Sequence, residues 1–399
     1  MLSGVMGLAL GDQHSMILRQ DGSVWSTAFV FRVPNIFRVA RKFMRVILSG
    51  AIAIAAGGGH GMVLKEDGSL WGAGRNHQGQ LGDGTKTRRE AFSMVQMIPG
   101  AKAIAAGGGH TMVLTNDGRV YATGGNKYGQ VGDTSKTDRF RFRLVMSGSS
   151  AVAAGVSHSI VIKQDGSVWA TGRNRSGQLG DGSVIDRSSF VEVMPNGGAA
   201  AAAGESHSMV LKQDGSVWAA GWNEYGQLGD GSTIDRITYV PVMSRGAKTI
   251  AAGSRHSMVL KDDGSLWATG HNAYGQLGDG SKTNSEVFVR VIPHEVSLIA
   301  AGSFYSMVLK QDGSIWATGS NEYGQFGDSS IIPRGTFVRL TPVFDGAERD
   351  TNMIDLHFFA LLHFDHDSTL NSWLCRYNEG IKQGYEIDSK DNTFFMEFI

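Results

Sequence analysis

Six histidines hold one position of a repeating frame: His14, His60, His110, His158, His207 and His256, with Tyr305 in the seventh place. They lie 46 to 50 residues apart, and imidazoles gathered from such distances could ligate a metal or move protons. A second recurring set is acidic: Asp83, Asp133, Asp181, Asp230, Asp279 and Asp328, each preceded by glycine. Calcium would need alternating oxygen ligands and a distal glutamate, so a turn-forming role is expected for these aspartates. Serine follows several of the histidines, as in His14-Ser15 and His207-Ser208, yet no acid and no oxyanion donors accompany them. Because every histidine occupies the same slot, each is expected to bond the backbone of the neighbouring unit. The glycine clusters at 57–59 and 107–109 lead from strand into strand, leaving no helix N-terminus for a phosphate. In the last part of the chain, His357, His363, Asp365 and His366 fit no zinc spacing. The expectation is a chain without a catalytic constellation, metal or cofactor.

The elements that carry these residues follow from the repeat. Each unit reads G-x-x-H-S-M-V-L-K-x-D-G-S-v-W-A-x-G-x-N-x-x-G-Q-L-G-D-G, in seven copies. Two apolar runs flank an Asp-Gly, as at 209–211 and 217–219 around Asp214-Gly215, which predicts a hairpin with a type I′ turn. A run of small residues precedes the histidine, as in Ile250-Ala251-Ala252-Gly253, and suits strands crowded around an axis. A fourth β-prone run follows, as at 239–242. Four strands per unit and seven units predict an all-β, seven-bladed β-propeller of four-stranded antiparallel blades. Helical repeats would not tolerate 55 glycines placed largely at fixed offsets, and no Trp-Asp dipeptide of the WD type occurs. The tryptophan after each Asp-Gly (Trp25, Trp71, Trp169, Trp218, Trp267, Trp316, with Tyr121 once) is expected between neighbouring blades.

Strand parity places the G-x-x-H loop and the G-x-N-x-x-G loop together on one face, here called the top. The positions marked x vary between units while the frame holds. They supply Glu205, Arg255 and Phe304, with Tyr305 beside it, then Arg173, Arg175, Trp222 and Tyr225. Rigidly presented aromatics and arginines are the common chemistry of protein-binding hot spots, so these eight are the candidate partner-binding residues. The same slots also hold Arg75, His77, Lys127, Tyr128, Glu224, His271, Tyr274, Glu322 and Tyr323.

Composition bounds the partner. Lys+Arg and Asp+Glu both number 37, so no net charge drives binding to nucleic acid. A single cysteine, Cys375, excludes an internal disulfide, and no apolar run is long enough to span a bilayer. A soluble cytoplasmic or nuclear protein is expected. The domain reading is a propeller over 1–344, degenerate at 27–42, and a non-repeat tail at 345–399 rich in aromatics. The 27–42 segment replaces a top loop with apolar and basic residues, and reads either as a partner-anchoring or wedge element or, the repeat being intact on both sides, as a wrongly translated or spliced stretch.

The motifs G-x-x-H-S-M-V-L, D-G-S-v-W-x-x-G and N-x-x-G-Q-L-G-D-G resemble the regulator of chromosome condensation repeat family, over about residues 4–343. That resemblance implies a seven-bladed propeller acting through protein contacts, in some members as a guanine-nucleotide exchange factor for the small GTPase Ran. The family's exchange factor uses a β-hairpin wedge and an acid just before a repeat histidine. Here units two to seven leave no room for a wedge, and that slot holds Gln13, Gly59, Gly109, Ser157, Ser206, Arg255 and Phe304. The reading is therefore a non-catalytic interaction propeller with a protein partner on the top face, the alternative being an exchange factor for a Ran-like GTPase.

Overall fold

The computed structural model describes residues 4–27, 41–341 and 344–345. Within them the chain makes seven four-stranded antiparallel sheets, each built from consecutive strands, covering 5–47, 51–97, 101–146, 149–194, 198–243, 247–292 and 296–339. These are blades 1 to 7, and each touches the next, with blade 7 returning to blade 1. The expected seven-bladed propeller is the observed fold. The 27–42 element and the tail largely fall outside the described residues.

The innermost strands are the small-residue runs, such as Gly198–Ala203 in blade 5 and Ala247–Ala252 in blade 6. They surround a central cavity of about 170 Å³ whose wall includes Gly57, Gly107, Gly204 and Gly253. Crowding there is severe. A Cβ on Gly253 would lie 2.3 Å from the His256 ring and 2.4 Å from the Gly302 carbonyl of the next blade.

Apolar packing lies between blades rather than within them. Met209, Leu211, Val217 and Leu228 of blade 5 join Ala247, Ile250 and Val259 of blade 6 in one cluster, with Trp267 against it. The repeat tryptophan thus sits where expected, between neighbours. Trp267 Nε1 donates to Ser265 Oγ at 3.0 Å, and the Lys261 ammonium lies 4.6 Å from its ring. Each such contact lends the outer end of a blade a polar lid over an apolar ring.

The hairpin turn differs from expectation. In blade 5 Gly215 adopts φ +78°, but Asp214 does not enter the left-handed region. Gly215 N–H donates to Lys212 O and Lys212 N–H to Ser216 O, closing a three-residue loop with a glycine bulge rather than a type I′ turn. Asp214 acts through its side chain, accepting the Ser216 N–H at 2.9 Å. The carboxylate organises the turn, so its residue type is required without positive φ.

Candidate functional site

The top face rests on two joints repeated around the ring. At the first, the imidazoles are completely buried, and His207 Nε2 lies 3.0 Å from Ser257 Oγ of the next blade. That hydroxyl donates to Gln227 O of the His207 blade at 2.7 Å. Its only proton being committed, Nε2 must be the donor, and the ring is the neutral Nε2–H tautomer. The same relay joins His60 to Thr111, His110 to Ser159, His158 to Ser208 and His256 to Ser306. The expected backbone partner is thus corrected to a side-chain hydroxyl. The exception is His14, which interacts with the His60 backbone because Gly61 fills the hydroxyl slot. Burial is the main cause that lowers these imidazoles from 6.5, to about 4 in His14 and His110. In His60, His158, His207 and His256 it lowers them to about 3.

The second joint uses the glycine-flanked aspartates. In blade 5, buried Asn223 accepts Leu228 N–H and donates to Asp230 at 3.1 Å and to Ser232 O at 2.9 Å. Arg236 reaches Asp230 at 2.6 Å, and the Asp230 backbone bridges Val287 on the outer strand of blade 6. Burial raises the Asp230 carboxyl, but Arg236, Ser232 and Asn223 outweigh it and hold the group below the usual range. The turn-forming role expected for these aspartates is present, with an ion pair added. Among the described residues no group of three or more His, Cys, Asp or Glu is arranged to hold a metal ion.

On this frame the top of blades 5, 6 and 7 carries a continuous cluster. Trp222 and Tyr225 meet edge-on with centroids 5.3 Å apart, and Tyr225 meets His271 at 4.8 Å. His271 continues to Phe304 at 5.9 Å, and Phe304 to Tyr274 at 5.2 Å. Arg255 sits among these rings. Its guanidinium is 5.2 Å from Trp222, 5.5 Å from Tyr225 and 5.8 Å from Phe304. Its Nε donates to Glu205 Oε2 at 3.2 Å and its Nη1 to the Tyr225 hydroxyl at 3.4 Å. A side chain held by three rings, a carboxylate and a phenol has surrendered its rotamer freedom before any partner arrives.

Five candidates therefore come together: Glu205, Trp222, Tyr225, Arg255 and Phe304. His271 and Tyr274 complete the group. They occupy in blade 6 the slots that Trp222 and Tyr225 occupy in blade 5, and that equivalence in adjoining blades was the available signal. Arg173 and Arg175 stand apart on blade 4, Arg173 lying 5.4 Å from the Tyr128 ring and Arg175 exposed. Tyr305 is a correction. It is completely buried, and its hydroxyl donates to His14 O at 2.6 Å across the blade 7–1 boundary. A phenol reaches further than an imidazole, and here it takes the joint's place rather than a partner's surface.

Around the cavity mouth, Asp12 accepts from Ser303 Oγ at 2.7 Å. Withdrawal from bulk water raises its carboxyl, with Glu205 adding and Ser303 and Arg75 opposing. Asp12 and Glu205 are the acids lining the cavity among the described residues.

Seven contiguous blades, with an imidazole–hydroxyl joint at five of their boundaries and a variable upper rim, define a repeat propeller. The chain belongs to the RCC1-like domain family, whose model matches residues 32–347. No protein of curated function matches it by sequence. Solved structures share the fold. Human WBSCR16 has a TM-score of 0.70 at 22% identity, over 80% of this chain and 93% of that one. Prp20p from Saccharomyces cerevisiae, studied for its binding to Gsp1p and histones, has a TM-score of 0.67 at 20% identity, over 76% and 82%. The yeast RCC1 (Prp20) bound to Kap60 has a TM-score of 0.65 at 22% identity, over 73% and 75%. No helix among the described residues is long and apolar enough to cross a membrane.

Proposed function

We infer that this propeller is a protein-interaction module whose top face captures a partner, without chemistry of its own. The observation behind this reading is the Arg255 cluster. Aromatic rings and an arginine, already ordered and partly exposed, can bury against a partner at small entropic cost. Trp222, Arg255 and Phe304 vary from blade to blade, whereas the tyrosine slot of Tyr225 and Tyr274 recurs at Tyr128 and Tyr323 and serves the frame as well. Trp222, Arg255, Phe304 and Tyr225 would anchor the partner, and Glu205 would hold Arg255 in place.

The test is affinity capture from a cell extract, comparing the wild type with a Trp222→Ala, Phe304→Ala variant. The variant should retain the thermal melting of the wild type within a few degrees and lose the captured protein. Equal capture by both would remove the cluster from the binding surface.

The second reading, nucleotide exchange on a Ran-like GTPase, draws its support from the family and from the binding of Gsp1p studied for Prp20p. Capture in Mg²⁺ with GTP and in EDTA separates the two. A small GTPase retained in EDTA alone would favour exchange, and equal retention would favour a scaffold or inhibitor.

A further inference from the structure

The variable top slots segregate by chemistry as well as by blade. In blades 5 to 7 the G-x-N-x-x-G loops hold aromatics with Glu224 and Glu322. In blades 2 to 4 the same loops hold Arg75, His77, Lys127, Arg173 and Arg175, and no acid at all. Blades 2, 3 and 4 are consecutive in the ring, so these side chains form one arc on one face.

The arc's charge is surplus. The glycine-flanked aspartates of those blades are neutralised from within: Arg89 reaches Asp83 and Arg187 reaches Asp181, each at 2.7 Å, and Arg139 pairs with Asp133. The two remaining acids further along these loops, Asp138 and Asp186, accept the Asn126 and Asn174 N–H and are outnumbered by Arg75, Lys127, Arg173 and Arg175. Arg75, Lys127 and Arg175 are exposed and make no ion pair among the described residues. Lys127 and Arg173 lie 5.6 and 5.4 Å from the Tyr128 ring, which fixes two of the cations beside each other.

We propose that the arc of blades 2 to 4 binds an acidic protein segment, within the same partner whose apolar residues meet the Arg255 cluster. The proposal rests on the top-face reading and gives the partner a chemistry: carboxylates on one side, apolar or basic groups on the other. A nucleic acid fits less well. A long polyanion crossing the face would meet Asp12, Glu205, Glu224 and Glu322, and the one ring within the arc already carries two cations rather than offering itself to a base. A chain with equal numbers of acids and bases also lacks the general field that nucleic-acid binding uses.

The test measures fluorescence anisotropy of a labelled oligoglutamate peptide and of a labelled oligothymidylate of the same charge, titrated with the full chain at low salt. Wild type should bind the peptide more tightly than the oligonucleotide, and added salt should weaken it. An Arg75→Glu, Arg175→Glu variant should bind the peptide about tenfold more weakly, with Arg75→Gln, Arg175→Gln between the two. Both positions are exposed, so melting should be unchanged. Trp222→Ala, Phe304→Ala should leave peptide binding as it was. No peptide binding by wild type, no effect of charge reversal, or tighter binding of the oligonucleotide would each overturn the proposal. Because peptide binding and partner capture are read separately, loss of the Arg255 cluster's role in capture would leave this result standing.

Discussion

Acid should dismantle the ring of imidazoles at a pH where most carboxylates are still ionised. The six histidines are buried and neutral, their folded values lying at about 3 to 4 against 6.5 when exposed. The relay gives this a local cause. Nε2–H is the donor, and Nδ1 of His60, His110, His158, His207 and His256 is buried without an acceptor among the described residues. A second proton would therefore be stranded in a dry joint. Since the unfolded chain binds these protons first, stability is fully present above pH 6.5 and is lost as the pH falls toward 4. Each group contributes about 1.4 kcal/mol per pH unit inside that window, and six together about 8 kcal/mol per unit at the steepest. An ordinary domain stability of about 5–15 kcal/mol would be cancelled near pH 5. The measurement is urea unfolding by tryptophan fluorescence at pH 7.5, 6.5 and 5.5. A steep fall in midpoint below 6.5 is expected, and His207→Gln should reduce its slope by about one proton. Midpoints that stay level from 7.5 to 5.5 would refute the argument. The aspartate joints cannot mimic the effect. Asp83, Asp133, Asp181 and Asp230 are held below the ordinary 3.8, so their contribution is lost only at lower pH.

Other changes probe the remaining joints. Asn223→Ala takes away the acceptor of Leu228 N–H and the two amide protons shared among Asp230, Ser232 and Ile234, and should cost about 2–4 kcal/mol, read as a lower melting temperature. Tyr305→Phe removes the hydroxyl's bond to His14 O, which keeps the Gly11 N–H, and should cost about 0.5–1.5 kcal/mol and speed amide exchange at the blade 7–1 boundary ahead of the others. For the surface, loss of capture on Trp222→Ala, Phe304→Ala and loss of oligoglutamate binding on Arg75→Glu, Arg175→Glu are the two expected outcomes stated above.

The sequence displays the ring because its periodic residues are those that face a neighbouring blade. Seven copies of one unit fix the number of blades, and strand parity fixes which loops share a face. What it hides is the atom each periodic residue touches. The histidine pattern does not say whether a ring meets a carbonyl or Ser257 Oγ, since both belong to the next unit and both recur. The Asp-Gly pattern does not separate a turn needing positive φ at Asp214 from one needing only its carboxylate. Tyr305 looked like a departure available for binding because its slot was filled by histidine elsewhere, and its burial shows that a departure can also serve the same joint with a longer reach. The Arg255 cluster was half legible. Its residues stand out one at a time, but their convergence depends on blades 5, 6 and 7 being neighbours with their upper loops in register.

One topological detail has a genetic consequence. No blade in the described residues borrows a strand from another repeat unit. The only addition is the short segment Phe344–Asp345, which lies parallel to the outer edge of blade 1. Each blade is thus encoded without interruption, and copying one by unequal recombination would orphan no strand. A duplicated copy would arrive with both of its adhesive edges intact, leaving its rim free to drift. Rings assembled from such interchangeable modules can change what they recognise sector by sector.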